Sequence, residues 1–132
     1  MGILNKLFGK ENNAEKKEKK VAPWIPLTSM EQLAGIKEKS TMKAQVIFKH
    51  STTCGISRMV INRFNEDYDI LSGDLDLYYL DLHSFRPLSN KVEELFQVRH
   101  ESPQLLVVKN GEVVAHESHS GISQIDLKKY VR

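Results

Sequence analysis

The chain has 132 residues, 40% of them hydrophobic, and a formal net charge of +2, enough for one domain with a buried core. No apolar run approaches the roughly 20 residues that span a bilayer. A single cysteine excludes an internal disulfide scaffold and points to a reducing compartment, with the cytoplasm as the expected location. The charge is uneven: residues 1–20 carry six lysines against three glutamates, so the rest is near neutral and lacks the long basic face that nucleic acid binding needs.

Residues 1–22 read as a mobile, charged N-terminal tail, because the stretch from Glu11 to Lys20 has too few apolar residues to offset its ordering entropy. Ile3, Leu4, Leu7 and Phe8 sit at helical spacing, but one short cluster is a poor membrane anchor and a disordered leader is the favoured reading. Met1 to Lys10 does not have the form of a secretory signal. The domain is expected over residues 23–132. Pro23 and Pro26 hold its first residues extended, and Ser29 with Gln32 forms a capping box for a helix ending near Lys39.

Ala44–Lys49 reads as a buried strand. A helix is expected from Cys54 to about Asn65, with Ile56, Met59, Val60 and Phe64 facing a core. Leu75–Asp81 reads as a second strand, with Tyr78 and Tyr79 as core and sheet-face residues, and Leu88–Val98 as a third helix with Val92, Leu95 and Phe96 inward. Asn110-Gly111 between two apolar runs is a strong hairpin signal, since both residues tolerate positive φ. Ser123 is expected to cap a last helix carrying Ile125 and Leu127. Two parallel strands joined by a helix, followed by a hairpin, give an α/β fold: a four-stranded mixed sheet with helices on both faces, thioredoxin-like in arrangement.

Cys54 follows the first strand and opens a helix. A helix start carries outward N–H groups and roughly half a positive charge, which favours a thiolate and lowers a thiol pKa from about 8.5 to between about 3.5 and 7.5. The polar Ser51-Thr52-Thr53 loop before it and Gly55 after it keep the junction open; a lone cysteine is otherwise commonly an inert core filler. Gly55 reads either as room for a close partner or as room for a tight junction. Ser57, three residues on, shares the helical side of Cys54; it either donates a hydrogen bond to the thiolate or is a polar first-turn residue, but it cannot form a disulfide. His50 reads as a surface histidine near a strand end, with electrostatic support of the thiolate as the alternative. His116 and His119 match no usual zinc spacing with Cys54, so no metal site is expected.

Cys54-Gly55-Ile56-Ser57 stands where thioredoxins and glutaredoxins carry Cys-x-x-Cys, and Ser102-Pro103 stands at their proline before the hairpin. With Thr53, these motifs make residues 24–132 resemble the bacillithiol-linked monothiol bacilliredoxins. The resemblance implies that Cys54 is the catalytic nucleophile, with Ser57 beside it, and that it takes bacillithiol from S-bacillithiolated client proteins under oxidative stress. It implies a cis Pro103 with the Ser102 backbone free to pair with a bound chain. Thr53, Gly55, Ser102, Pro103 and Gly121 become the candidate contacts to the low-molecular-weight thiol. In glutaredoxins a Gly-Gly turn near the last helix receives the carboxylates of that thiol; here only Gly121 remains, and an ordinary turn plus cap is the other reading. No tightly bound cofactor is implied; bacillithiol is a co-substrate.

Two other classes stay open. One is an iron–sulfur carrier like the monothiol glutaredoxins, although those keep Cys-Gly-Phe-Ser where this chain has Cys54-Gly55-Ile56-Ser57. The other is a non-catalytic adaptor in which Cys54 is a redox-sensing position.

Overall fold

All seven residues of strand β2 (Ala44–His50) are buried, as expected for a strand covered on both faces. The computed structural model describes residues 20–71 and 73–131. Most of the expected N-terminal tail therefore lies outside the described residues. Packing reaches back to Ala22, which is buried and donates its N–H to Asn65 Oδ1 at 3.0 Å.

Around β2 the sheet runs in the order β1-β3-β2-β4-β5, with β1 at Ile25–Pro26, β3 at Leu75–Asp81, β4 at Gln104–Lys109 and β5 at Glu112–Ser118. It has five strands, not four. The additional one, β1, pairs in parallel with Tyr78 and Tyr79 of β3, and Leu27 N–H continues the ladder to Tyr79 C=O at 2.8 Å. Two residues cannot show a strand period, and Pro26 donates no hydrogen bond, so this edge strand is silent in the residue pattern. β2 and β3 are parallel; β4 runs antiparallel to both β2 and β5.

Helix α1 (Met30–Lys39) opens with the Ser29–Gln32 capping box and ends at Ser40. The hairpin between β4 and β5 turns on Asn110 (φ 53°) and Gly111 (φ 80°), the positive values their identities anticipate. Ser40 receives both turn amides: its C=O accepts Asn110 N–H and its Oγ accepts Gly111 N–H, each at 2.8 Å.

Alternation along β2 divides the core. Val46 and Phe48 face helix α2 (Gly55–Asp67) and the C-terminal segment; Ile47 faces α1 and helix α3 (Arg86–Phe96). The first face also holds Trp24, whose ring lies 5.4 Å from Phe64 and 5.6 Å from Phe48 between centroids. In α2 the inward stripe is Ser57, Val60, Ile61 and Phe64, so Ile56 and Met59 point outward with 54% and 72% exposure. The helix is rotated relative to the expected apolar face, because the buried position of its first turn goes to a serine.

The last expected helix is replaced by two 3-10 segments, His119–Gln124 and Leu127–Tyr130. Ser123 is no N-cap: its hydroxyl donates to Ser120 C=O at 2.9 Å, while Asp126 caps the second segment by accepting Lys128 N–H at 3.2 Å. Ile122, Ile125 and Leu127 all meet the core cluster. That spacing suits short 3-10 turns lying on the sheet better than the drifting face of an α-helix.

Candidate functional site

The site forms where strand ends converge. His50 ends β2 beside Asp81, the end of β3, and Lys49 pairs with Gln104, the start of β4, which in turn pairs with Ser118, the end of β5. Cys54 follows β2 by four residues, Pro103 immediately precedes β4, and Gly121 lies just beyond β5. Sheet register alone therefore gathers all three at one edge.

Cys54 is the N-cap of α2, with extended backbone (φ −105°, ψ 120°), and is half-buried. Its N–H closes a turn onto Ser51 C=O at 3.2 Å, and its C=O accepts Arg58 N–H at 3.1 Å, the first bond of the helix. The side chain makes no capping hydrogen bond, so the sulfur stands at the helix tip with the first-turn amides unclaimed by it.

Ser57 is fully buried and faces away from the solvent-exposed first-turn side. Its Oγ accepts Ser51 N–H at 3.1 Å and is hydrogen-bonded to His50 Nδ1 at 2.7 Å. This burial overturns the alternative of an exposed polar first-turn residue; among the described residues the hydroxyl's hydrogen bonds go to Ser51 and His50 beneath the loop, and none is made to Cys54. His50 is likewise no surface histidine: it is 5% exposed and its ring centroid lies 5.4 Å from that of Tyr79, the two planes tilted by 48°. Burial holds His50 below the usual histidine range, against the pull of Asp81 and with a further push from Arg58.

Gly55 is exposed and a Cβ added there would meet nothing within 4 Å, so no tight junction requires glycine. The position stands open to solvent. Thr53 is exposed beside it. The Ser102–Pro103 peptide bond is cis, Pro103 is buried, and Pro103 C=O accepts His119 N–H at 3.0 Å. Ser102 Oγ is enclosed and has no hydrogen-bond partner among the described residues. Gly121 is at the expected edge, but the Glu117 side chain covers it: a Cβ there would lie 2.6 Å from Glu117 Oε1.

The residue pattern had not singled out His83. Its Nε2 lies 2.9 Å from Ser51 Oγ and 3.2 Å from Thr53 Oγ1, so the ring supports the loop leading to Cys54. Asp81 Oδ1 sets the backbone of this turn by accepting the N–H groups of His83 and Ser84 at 3.1 and 3.4 Å. The signal was present in the parallel register: an aspartate-led turn leaving β3 must emerge beside the turn leaving β2. Arg58 reaches back across the same loop, donating from Nη1 to Thr52 C=O at 3.4 Å.

Residues 25–127 match the family model described as monothiol bacilliredoxin BrxC. A solved structure whose description names a thioredoxin fold is 36% identical, covering 74% of this chain and 84% of its own, with a TM-score of 0.64. The thioredoxin Mala s 13 of Malassezia sympodialis (22% identity, 75% and 81% coverage, TM-score 0.60) shares the fold. So does the thioredoxin NaTrxh of Nicotiana alata (18% identity, 94% and 100% coverage, TM-score 0.63). With a thioredoxin-type sheet, a cis proline and one cysteine at a helix tip, the chain belongs to the monothiol bacilliredoxin family of thiol oxidoreductases.

Proposed function

We propose that this protein removes bacillithiol from S-bacillithiolated cytosolic proteins by monothiol disulfide exchange at Cys54. The observation that carries this reading is the half-exposed Cys54 at the N-cap of α2, in a chain with no second cysteine and with Ser57 turned into the core. Family membership supports the choice of small thiol. Among the described residues, no helix is long and apolar enough to cross a membrane.

The Cys54 thiolate attacks the bacillithiol sulfur of the mixed disulfide. The new bond joins Cys54 to bacillithiol; the old bond breaks, and the client leaves as a thiolate that takes up a proton from water. The α2 amides stabilise the attacking anion. Thr53 and Gly55 form the exposed lip that admits the disulfide, and the Ser102 backbone beside Pro103 is the surface for a bound chain. With no internal thiol, the adduct persists until a second thiol or a separate reductase attacks it.

The test incubates a bacillithiolated client with wild-type protein and with Cys54→Ala, following intact masses. Wild type is expected to gain one bacillithiol as the client loses one, and Cys54→Ala to do neither. A client that stays modified in both reactions, or a wild-type chain without adduct, defeats the reading.

A further inference from the structure

Bacillithiol is anionic, and so must rest against something that tolerates its charge. The Gly121 side is ill suited. Glu117 places a carboxylate over Gly121, and the 3-10 segment from His119 to Gln124 has six residues, too few to present a helix N-terminus as an anion seat. Glu101 adds a second carboxylate, hydrogen-bonded by Ser118, although His116, His119 and Arg99 are also near it.

The opposite flank of Cys54 has different chemistry. Arg58 and His83 are both exposed, and both grip the loop that leads to the sulfur: Arg58 Nη1 on Thr52 C=O at 3.4 Å, His83 Nε2 on Ser51 Oγ and Thr53 Oγ1 at 2.9 and 3.2 Å. Arg58 is one helical turn from Cys54, whose C=O accepts its N–H at 3.1 Å. Among the described residues no carboxylate lies within salt-bridge reach of Arg58. This flank also carries one carboxylate, Asp81, whose charge is shared among three donors: the N–H groups of His83 and Ser84 and the Ser84 hydroxyl.

We infer that carboxylates of the low-molecular-weight thiol dock on the Arg58–His83 flank of Cys54 and not at Gly121. Arg58 supplies a fixed positive charge with several donors, and His83 supplies a second N–H edge. This inference rests on the reading of Cys54 as an exchange nucleophile for an anionic thiol, and it adds the residues that select that thiol.

The test measures second-order rates of Cys54 with two aryl disulfides: 5,5′-dithiobis(2-nitrobenzoate), which carries two carboxylates, and neutral 2,2′-dithiodipyridine. In each, the Cys54 thiolate forms a mixed disulfide and expels an absorbing aryl thiolate. The anionic-to-neutral rate ratio should fall roughly threefold to fivefold in Arg58→Gln, the size of one exposed charge contact. His83→Gln should lower it in the same direction, and added salt should lower it in wild type. Glu117→Gln should leave it unchanged. A ratio insensitive to Arg58→Gln and His83→Gln, or one raised by Glu117→Gln, overturns the inference while bacillithiol transfer to Cys54 can still stand. If neither probe modifies Cys54, both readings fall.

Discussion

Ser57 Oγ and His50 Nδ1 meet at 2.7 Å beneath the tip of α2, joining the last residue of β2 to the first turn of the helix. Ser51 N–H completes the junction at 3.1 Å. The loop that presents Cys54 is therefore held from below by a buried hydroxyl and an imidazole, and from its outer side by His83 and Arg58.

Ser57→Ala leaves Ser51 N–H and the His50 ring without this partner in a buried setting, at an expected cost of about 1–3 kcal/mol. Urea unfolding should show a lower midpoint with an unchanged slope. Stability equal to wild type would show that the junction contributes nothing.

Gly55→Ala separates fold from function. A Cβ there meets nothing within 4 Å, and the replacement stabilises a compatible site by about 0.4–1 kcal/mol. The melting temperature should hold or rise, while transfer of bacillithiol from a protein client slows because the exposed lip is narrower. Undiminished transfer would remove Gly55 from the contact surface.

Lys49 is fully buried on the α3 side of β2, with Nζ 3.1 Å from His100 Nδ1. Burial lowers its pKa to about 8, against the pull of Glu93. The folded chain thus sheds a proton that the unfolded chain keeps until about 10.4, so stability rises with pH from about 8 upward. The full swing is on the order of 3 kcal/mol. Tyr68, pushed up to about 12, acts in the opposite sense above about pH 10, so the clean window is roughly pH 8 to 9.5. Below it, His50 and His100, both lowered chiefly by burial, destabilise the fold as pH falls through the histidine range. Lys49→Met should be more stable at pH 7 and lose the alkaline rise in urea titrations. A persisting rise would assign it to another group.

Asn65 pins the start of the domain: its Oδ1 accepts Ala22 N–H at 3.0 Å and Trp24 Nε1–H at 2.9 Å. Asn65→Ala should cost about 1–3 kcal/mol. It should also shift the emission of Trp24, the one tryptophan of the chain, to longer wavelength. Unshifted emission would show that ring stacking alone seats Trp24.

Where local chemistry decided local structure, the residues were readable. Ser29 with Gln32 announced α1, Asn110-Gly111 announced the hairpin, and a cysteine after a β-rich run announced the helix tip. What escaped was decided by tertiary context. β1 is two residues long, and its evidence lies on β3. The phase of α2 was misread because Ile56 and Met59 are apolar at helical spacing, yet the inward place went to Ser57, whose partners come from β2 and its loop. His83 is near Cys54 only once β2 and β3 are set in register. The cis Ser102–Pro103 bond was expected through family resemblance, not through any property of the dipeptide itself.

The buried station of Ser57 bears on any attempt to retrofit this scaffold with a second thiol. A cysteine at that position would inherit the role of a keystone, replacing a compact oxygen between His50 and Ser51 with a larger, weaker acceptor. The one-sulfur condition is thus built into the masonry under the turn that carries Cys54 as much as into the amino-acid inventory.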